Sequence, residues 1–237
     1  MELTHPRLRS WFACGDLDQR ITSSGIQRKA EIDWLSGMAG DSIEIREVRT
    51  AYRQSRKLRE LAIALSGDRA TEEATIGPPE WTEDADVSPL LAESLDGDLL
   101  ARWLAERISE VESATGKLPS IAVFVDGETR IEPLVERLMP LLADQNIPVV
   151  ACKDGRVVGD ALEVRVFDVR HIKGLEFEAV FFVGIDLLAE RLPALFDRFF
   201  YVGVSRAATY LGVTCEGHLP TGLEHVRQHF DTGAWPS

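Results

Sequence analysis

The sequence predicts an α/β fold, a parallel sheet covered by helices on both faces. Three observations carry this. Residues 120–125 (SIAVFV) and 179–184 (AVFFVG) are short, nearly continuous apolar runs, as strands buried on both faces require. Amphipathic segments at helical spacing lie between such runs. Strands that alternate with helices imply βαβ units.

The elements follow in order. Residues 11–14 are an apolar run ending in Gly-Asp, a strand entering a turn. Residues 26–35 read as a helix stopped by Ser36-Gly37, and 42–48 alternate like a strand. Residues 54–65 place Leu58, Leu61, Ala62 and Leu65 on one helical face, ended by Gly67. Residues 67–97 hold Gly77-Pro78-Pro79 and many acids, so they read as a loop or flexible acidic insertion. Asp98 is expected to cap a helix to about Thr115, stopped by Gly116. A helix over 129–144 follows the first buried strand, its ends blurred by Pro133 and Pro140. Strands are expected over 147–151, 162–167 and 179–184. A helix over 195–209, a strand over 210–214 and a last helix over 223–230 complete the reading.

Composition narrows the class. Apolar residues make up 45% and charged residues 27% of 237, an ordinary globular balance. No apolar run is long enough to span a membrane, and 1–11 do not resemble a signal peptide. Cys14, Cys152 and Cys215 are isolated, with no CxxC or Cys/His cluster, so no disulfide framework or metal site is expected. A reduced, cytoplasmic setting is the simple expectation. The net charge of -13 opposes nucleic-acid binding, which depends on neutralising phosphates. That charge is uneven: residues 1–60 balance to +2, and 68–98 hold ten acids against Arg69 alone.

In a parallel sheet, ligands bind at loops beyond the carboxyl ends of strands. Four polar clusters are assigned to such loops: Gly15–Gln19, Ala51-Tyr52-Arg53, His171–Phe177 and Tyr201–Ala207. Any one alone reads as a bland turn or helix start. Their order is informative. RHIKGLEFEAVFFVG resembles motif V of UvrD/Rep-type superfamily 1 helicases, and FYVGVSRAATYLGVT resembles motif VI. ACGDLDQRI is similar to motif III, and AYRQSRKLRELAIAL to motif IV with its following helix. The segment 121–150 is similar to the strand–helix–strand that usually precedes motif V. The resemblance runs from about Trp11 to Cys215.

The resemblance implies a RecA-like second motor domain of an ATP-dependent DNA helicase, residues 41–237, preceded by the end of the first motor domain, 1–40. It implies ATP and Mg²⁺ as cofactors. Arg206 and Arg53 would be the arginines that stabilise charge on the γ-phosphate, where a planar fork of donors suits developing charge. Gln19 would sense the γ-phosphate. Tyr52 would stack on adenine. Glu176 would accept from the ribose hydroxyl, or else pair with Lys173, and Gly174 would let the backbone approach closely. Arg170 and His171 would face DNA, although His171 reads equally as a loop residue. Phe200 and Tyr201 are expected in the core.

The pattern departs from the family in places. Asp168 stands where motif V usually has Thr, and Arg170 where it has His. Residues 21–25 lack the base-stacking aromatic usual after motif III, and Ala51 replaces Asn. The short span 153–162 leaves no room for an inserted domain. The sequence contains no GxxxxGK[ST], and no Asp-Glu pair precedes Gly15. The magnesium ligands are therefore expected outside this chain, on a P-loop-containing first motor domain in cis or in trans. Alone, the chain is expected to hydrolyse no ATP and to bind single-stranded DNA weakly. The rival reading is a non-catalytic, helicase-derived binding or regulatory module.

Overall fold

The computed structural model describes residues 54–66, 87–157 and 162–235. The strands expected over 11–14 and 42–48, the helix expected over 26–35, and the 1–40 boundary lie outside these residues. So do residues 67–86 of the acidic segment.

Helix α1 (Arg56–Ser66) comes first, then strand β1 (Leu90–Ala92), helix α2 (Gly97–Thr115) and strand β2 (Ile121–Val125). Helix α3 (Ile131–Leu142) and strands β3 (Val149–Cys152), β4 (Val164–Asp168) and β5 (Phe177–Phe182) follow. Helices α4 (Ile185–Arg191) and α5 (Phe196–Val204) lead to strand β6 (Ala207–Thr214). The six strands form one sheet in the order β1-β6-β5-β2-β4-β3, with every pair parallel. The expected α/β class is what the structure shows. No helix among the described residues is long and apolar enough to cross a membrane.

The apolar runs are continuous because both faces are covered. Ala122, Phe124, Val180 and Phe182 point to one core, shared with Leu58, Leu61, Phe200 and Val226. Ile121, Val123, Ala179 and Phe181 point to the other, shared with Leu104, Ile108 and Leu138. Alternate residues of one strand thus serve opposite layers.

Three expectations are corrected and one helix is added. Part of the acidic segment belongs to the core: Leu90 and Leu91 are buried on edge strand β1, paired with Gly212 and Val213. The helix expected over 195–209 ends at Val204, because Ala207 pairs with Phe177 and draws 207–209 into the sheet. The last helix is a 3₁₀ segment, Thr221–His229. Helix α4, which the sequence reading left unassigned, begins directly after Gly184. Smaller shifts have local causes. Asp96, not Asp98, stands at the N-cap of α2, and its side chain makes no capping bond. Gly116 ends that helix at φ 70, as expected of a left-handed C-cap.

The tail closes the outer edge. Asp231 bridges Leu90, and Trp235 inserts beside Tyr210 and Phe181 with ring centroids 5.2 and 5.9 Å away. Its indole N–H donates to the Ser88 carbonyl at 2.9 Å.

Candidate functional site

The topology separates the motif residues onto two edges of the sheet. Strands β4 and β5 flank β2, so the connection 169–176 must return from the carboxyl edge to the amino edge. Val169 and Ile172 are fully buried and pin it to the Phe124 face. Arg170 and His171 therefore follow the carboxyl end of β4, while Gly174 and Glu176 precede the amino end of β5. Arg206 immediately precedes the amino end of β6. The expectation that all these clusters lie beyond carboxyl ends is corrected by this crossover.

At the amino edge, residues 54–55, 174–177 and 202–208 converge. The Phe177 amide donates to the Arg206 carbonyl at 2.9 Å. Arg206 is 5% exposed. Its Nη1 donates to the Leu175 carbonyl at 3.2 Å, and its Nε to the Val202 carbonyl at 3.2 Å. Ser205 Oγ accepts from Nη2 at 2.9 Å and donates to the Val202 carbonyl at 2.8 Å. Gln54 Nε2 donates to the carbonyls of Val204 and Ala207 at 3.3 and 3.2 Å. The Ser55 amide donates to Ala208 at 2.8 Å. Gly174 adopts φ 81, a backbone that disfavours a side chain, and the space around it is open. Glu176 is exposed. Phe200 is fully buried, and Tyr201 is half-buried against the same core. Gln19, Tyr52 and Arg53 lie outside the described residues; Gln54 is the first described residue after them in sequence.

The carboxyl edge holds a charged cluster. Asp168 is fully buried. Its Oδ1 accepts the Arg170 amide at 2.9 Å, and Oδ2 accepts Arg170 Nε at 2.8 Å and also Nη2. Burial alone would raise the Asp168 carboxyl, but the Arg170 hydrogen bonds outweigh it and hold the group below its ordinary value. Those bonds raise Arg170 in turn. Asp126, just after β2, binds Arg191 through both oxygens, with Nε on Oδ2 at 2.8 Å and Nη2 on Oδ1. Glu128 lies 3.5 Å from His171 Nε2 and accepts the Asp154 amide at 2.9 Å.

Glu128, Asp168 and His171 bring one ligand atom each within 4.8 Å of one another, a grouping the sequence reading did not foresee. Arg170 already engages both oxygens of Asp168 and places a positive charge beside them, which opposes a cation there.

Asp126, Arg191, Gln54 and Ser205 were missed as site residues. Asp126 alone carried a signal, a charged residue directly after a fully apolar strand. Arg191 meets it only through the fold.

Residues 163–214 match the family model of the UvrD-like helicase C-terminal domain. The crystal structure of the C-terminal domain of a possible DNA helicase from Lactobacillus plantarum WCFS1 is similar at a TM-score of 0.56 and 16% identity. The match covers 77% of this chain and 98% of that one, and at such identity it speaks to the fold. An arterivirus nonstructural protein 10 (helicase) aligns at a TM-score of 0.34 and 12% identity, covering 62% of this chain and 34% of that one, too loosely to bear on the fold. No curated protein matches. The sheet and its topology are those of a RecA-like α/β fold, and residues 163–214 are similar to the UvrD-like helicase C-terminal domain.

Proposed function

We propose that this chain is the second motor domain of an ATP-dependent DNA helicase, binding ATP across an interface with a P-loop domain supplied in cis or in trans. The observation that supports this reading best is the convergence at the amino edge. Glu176 and Arg206 lie on neighbouring segments joined by the Phe177–Arg206 hydrogen bond, and Gln54, next to Arg53 in sequence, is bonded to the same turn.

In this proposal Arg206 moves. Its guanidinium rests on the Leu175 and Val202 carbonyls, which are neutral acceptors. A γ-phosphoryl group is a charged acceptor and makes hydrogen bonds roughly twice as strong. Closure on ATP would exchange the carbonyl contacts for phosphate oxygens, and Arg53 would act beside it. Tyr52 would stack on adenine, Glu176 would accept from the ribose, and Gln19 would report the γ-phosphate. Mg²⁺ would be held by the partner domain. Arg170 and His171, on the opposite edge, would face single-stranded DNA, and alternate closure and opening would move the protein along it.

Tyr52→Ala tests the adenine role. In an assembly with a P-loop motor domain it should raise the ATP concentration for half-maximal hydrolysis and leave saturated turnover less affected. An unchanged ATP requirement would remove Tyr52 from the site.

A further inference from the structure

We infer that Arg191, which no motif contains, joins Arg170 in a paired fork for the sugar–phosphate backbone of single-stranded DNA. The inference rests on the helicase reading above and extends its DNA-facing edge.

Two buried carboxylates build the fork. Val125 pairs in register with Asp168 across β2 and β4, and Asp126 follows Val125. The two aspartates thus end adjacent strands. Their side chains are 5% and 0% exposed, while those of Arg191 and Arg170 are 45% and 48% exposed. Each guanidinium grips its carboxylate through Nε and Nη2. No hydrogen-bond partner meets either Nη1 among the described residues. The inner edge of each planar group is fixed and the remaining donors are left for a ligand.

This arrangement suits phosphate. A guanidinium held by a buried acid has already lost most of its rotamer freedom, so ordering it on a ligand costs little more. The charge on Arg170 acts against that on Arg191, and a shared anion would relieve the repulsion. Because each arginine is already paired, the fork recognises phosphate by donor geometry more than by net charge. Binding is accordingly weak and best read at low salt.

The test is a titration of the full chain with fluorescently labelled oligo-dT across a salt series, by anisotropy. Arg191→Ala and Arg170→Ala are each expected to weaken binding about tenfold and to flatten the salt slope by less than the ~0.7 of a fully charged phosphate contact. Arg191→Lys should not restore affinity, since an ammonium lacks the planar fork. Arg191→Gln keeps the stem and a donor for Asp126, so it reports on binding if the alanine variant folds poorly by circular dichroism. Wild-type binding and slope in folded Arg191 variants, with Arg170→Ala impaired, would overturn the fork while leaving the DNA-facing edge in place. No effect from either arginine, or no binding at low salt, would overturn both. Inorganic phosphate bound through Arg191, with DNA binding independent of it, would assign the site to free anions and overturn the DNA assignment.

Discussion

The amide of Phe177 donates to the carbonyl of Arg206 at 2.9 Å, so the first bond between β5 and β6 also joins the two segments that resemble motifs V and VI. Arg206 returns the link by donating from Nη1 to the Leu175 carbonyl. A backbone bond and a side-chain bond between the same two segments make them one mechanical unit. Movement of Arg206 toward a phosphate would therefore be felt at Glu176.

Gly203 lies one turn before that unit and has no room for a side chain. A Cβ there would sit 2.5 Å from Phe182 Cε1 and 2.6 Å from Cδ1. The Phe182 ring is fully buried and cannot retreat without disturbing Phe124 and Phe200. Gly203→Ala is expected to cost about 1–3 kcal/mol by overpacking. Urea denaturation measures it; an unchanged midpoint would show that α5 and β5 shift apart freely.

Trp235→Ala removes a buried indole that meets Tyr210 and Phe181 in the core under α2. The expected loss is about 3–5 kcal/mol, the range for large aromatic-to-alanine changes in cores. Thermal unfolding reads it. A change within experimental scatter would mean that the tail docks without supporting the sheet.

Glu93 ties the 3₁₀ segment Thr221–His229 to the end of β1. Its carboxylate accepts from Arg227 Nη1 at 2.9 Å and from the Leu219 amide at 2.6 Å. The Arg227 hydrogen bonds, then the Leu219 amide, lower its pKa to about 2 from 4.5. A carboxyl lowered on folding adds stability that is complete above the unfolded value and is lost as pH falls through the folded one. Glu93→Gln should therefore destabilise the protein by about 1–2 kcal/mol at pH 7, a solvent-screened charge-assisted bond. The difference from wild type should shrink from about pH 4.5 downward and vanish near pH 2. A difference that stays constant over that range would point to packing instead.

Much of this architecture is legible in residues 120–125 and 179–184, whose unbroken apolar character already states burial on two faces. The placement of the candidate site residues is not legible in the sequence. Gly174 and Glu176 stand close to His171 in sequence, yet they occupy the other edge, because β2 inserts between β4 and β5. That pairing is a long-range choice that no local pattern contains. Strand β1 escaped notice because a three-residue edge strand inside an acidic segment has too few apolar positions to show a period. The helix before Arg206 was drawn too long because FFYVGV runs on into Ala207 and Ala208, and only the Phe177–Ala207 pairing ends it. Asp126 and Arg191 are 65 residues apart, and their contact exists only in the fold.

The most direct measurement of the central claim is single-turnover ATP hydrolysis by this chain assembled with a P-loop motor domain, comparing wild type with Arg206→Ala and Arg206→Lys. An arginine on the γ-phosphoryl oxygens acts mainly as the bond breaks. Arg206→Ala should slow hydrolysis at saturating ATP by about 10³–10⁵ while leaving ATP affinity nearly unchanged, and lysine should not rescue it. Hydrolysis by Arg206→Ala at the wild-type rate, in a folded and otherwise active assembly, would contradict the account and leave Arg206 as a packing residue between β5 and β6.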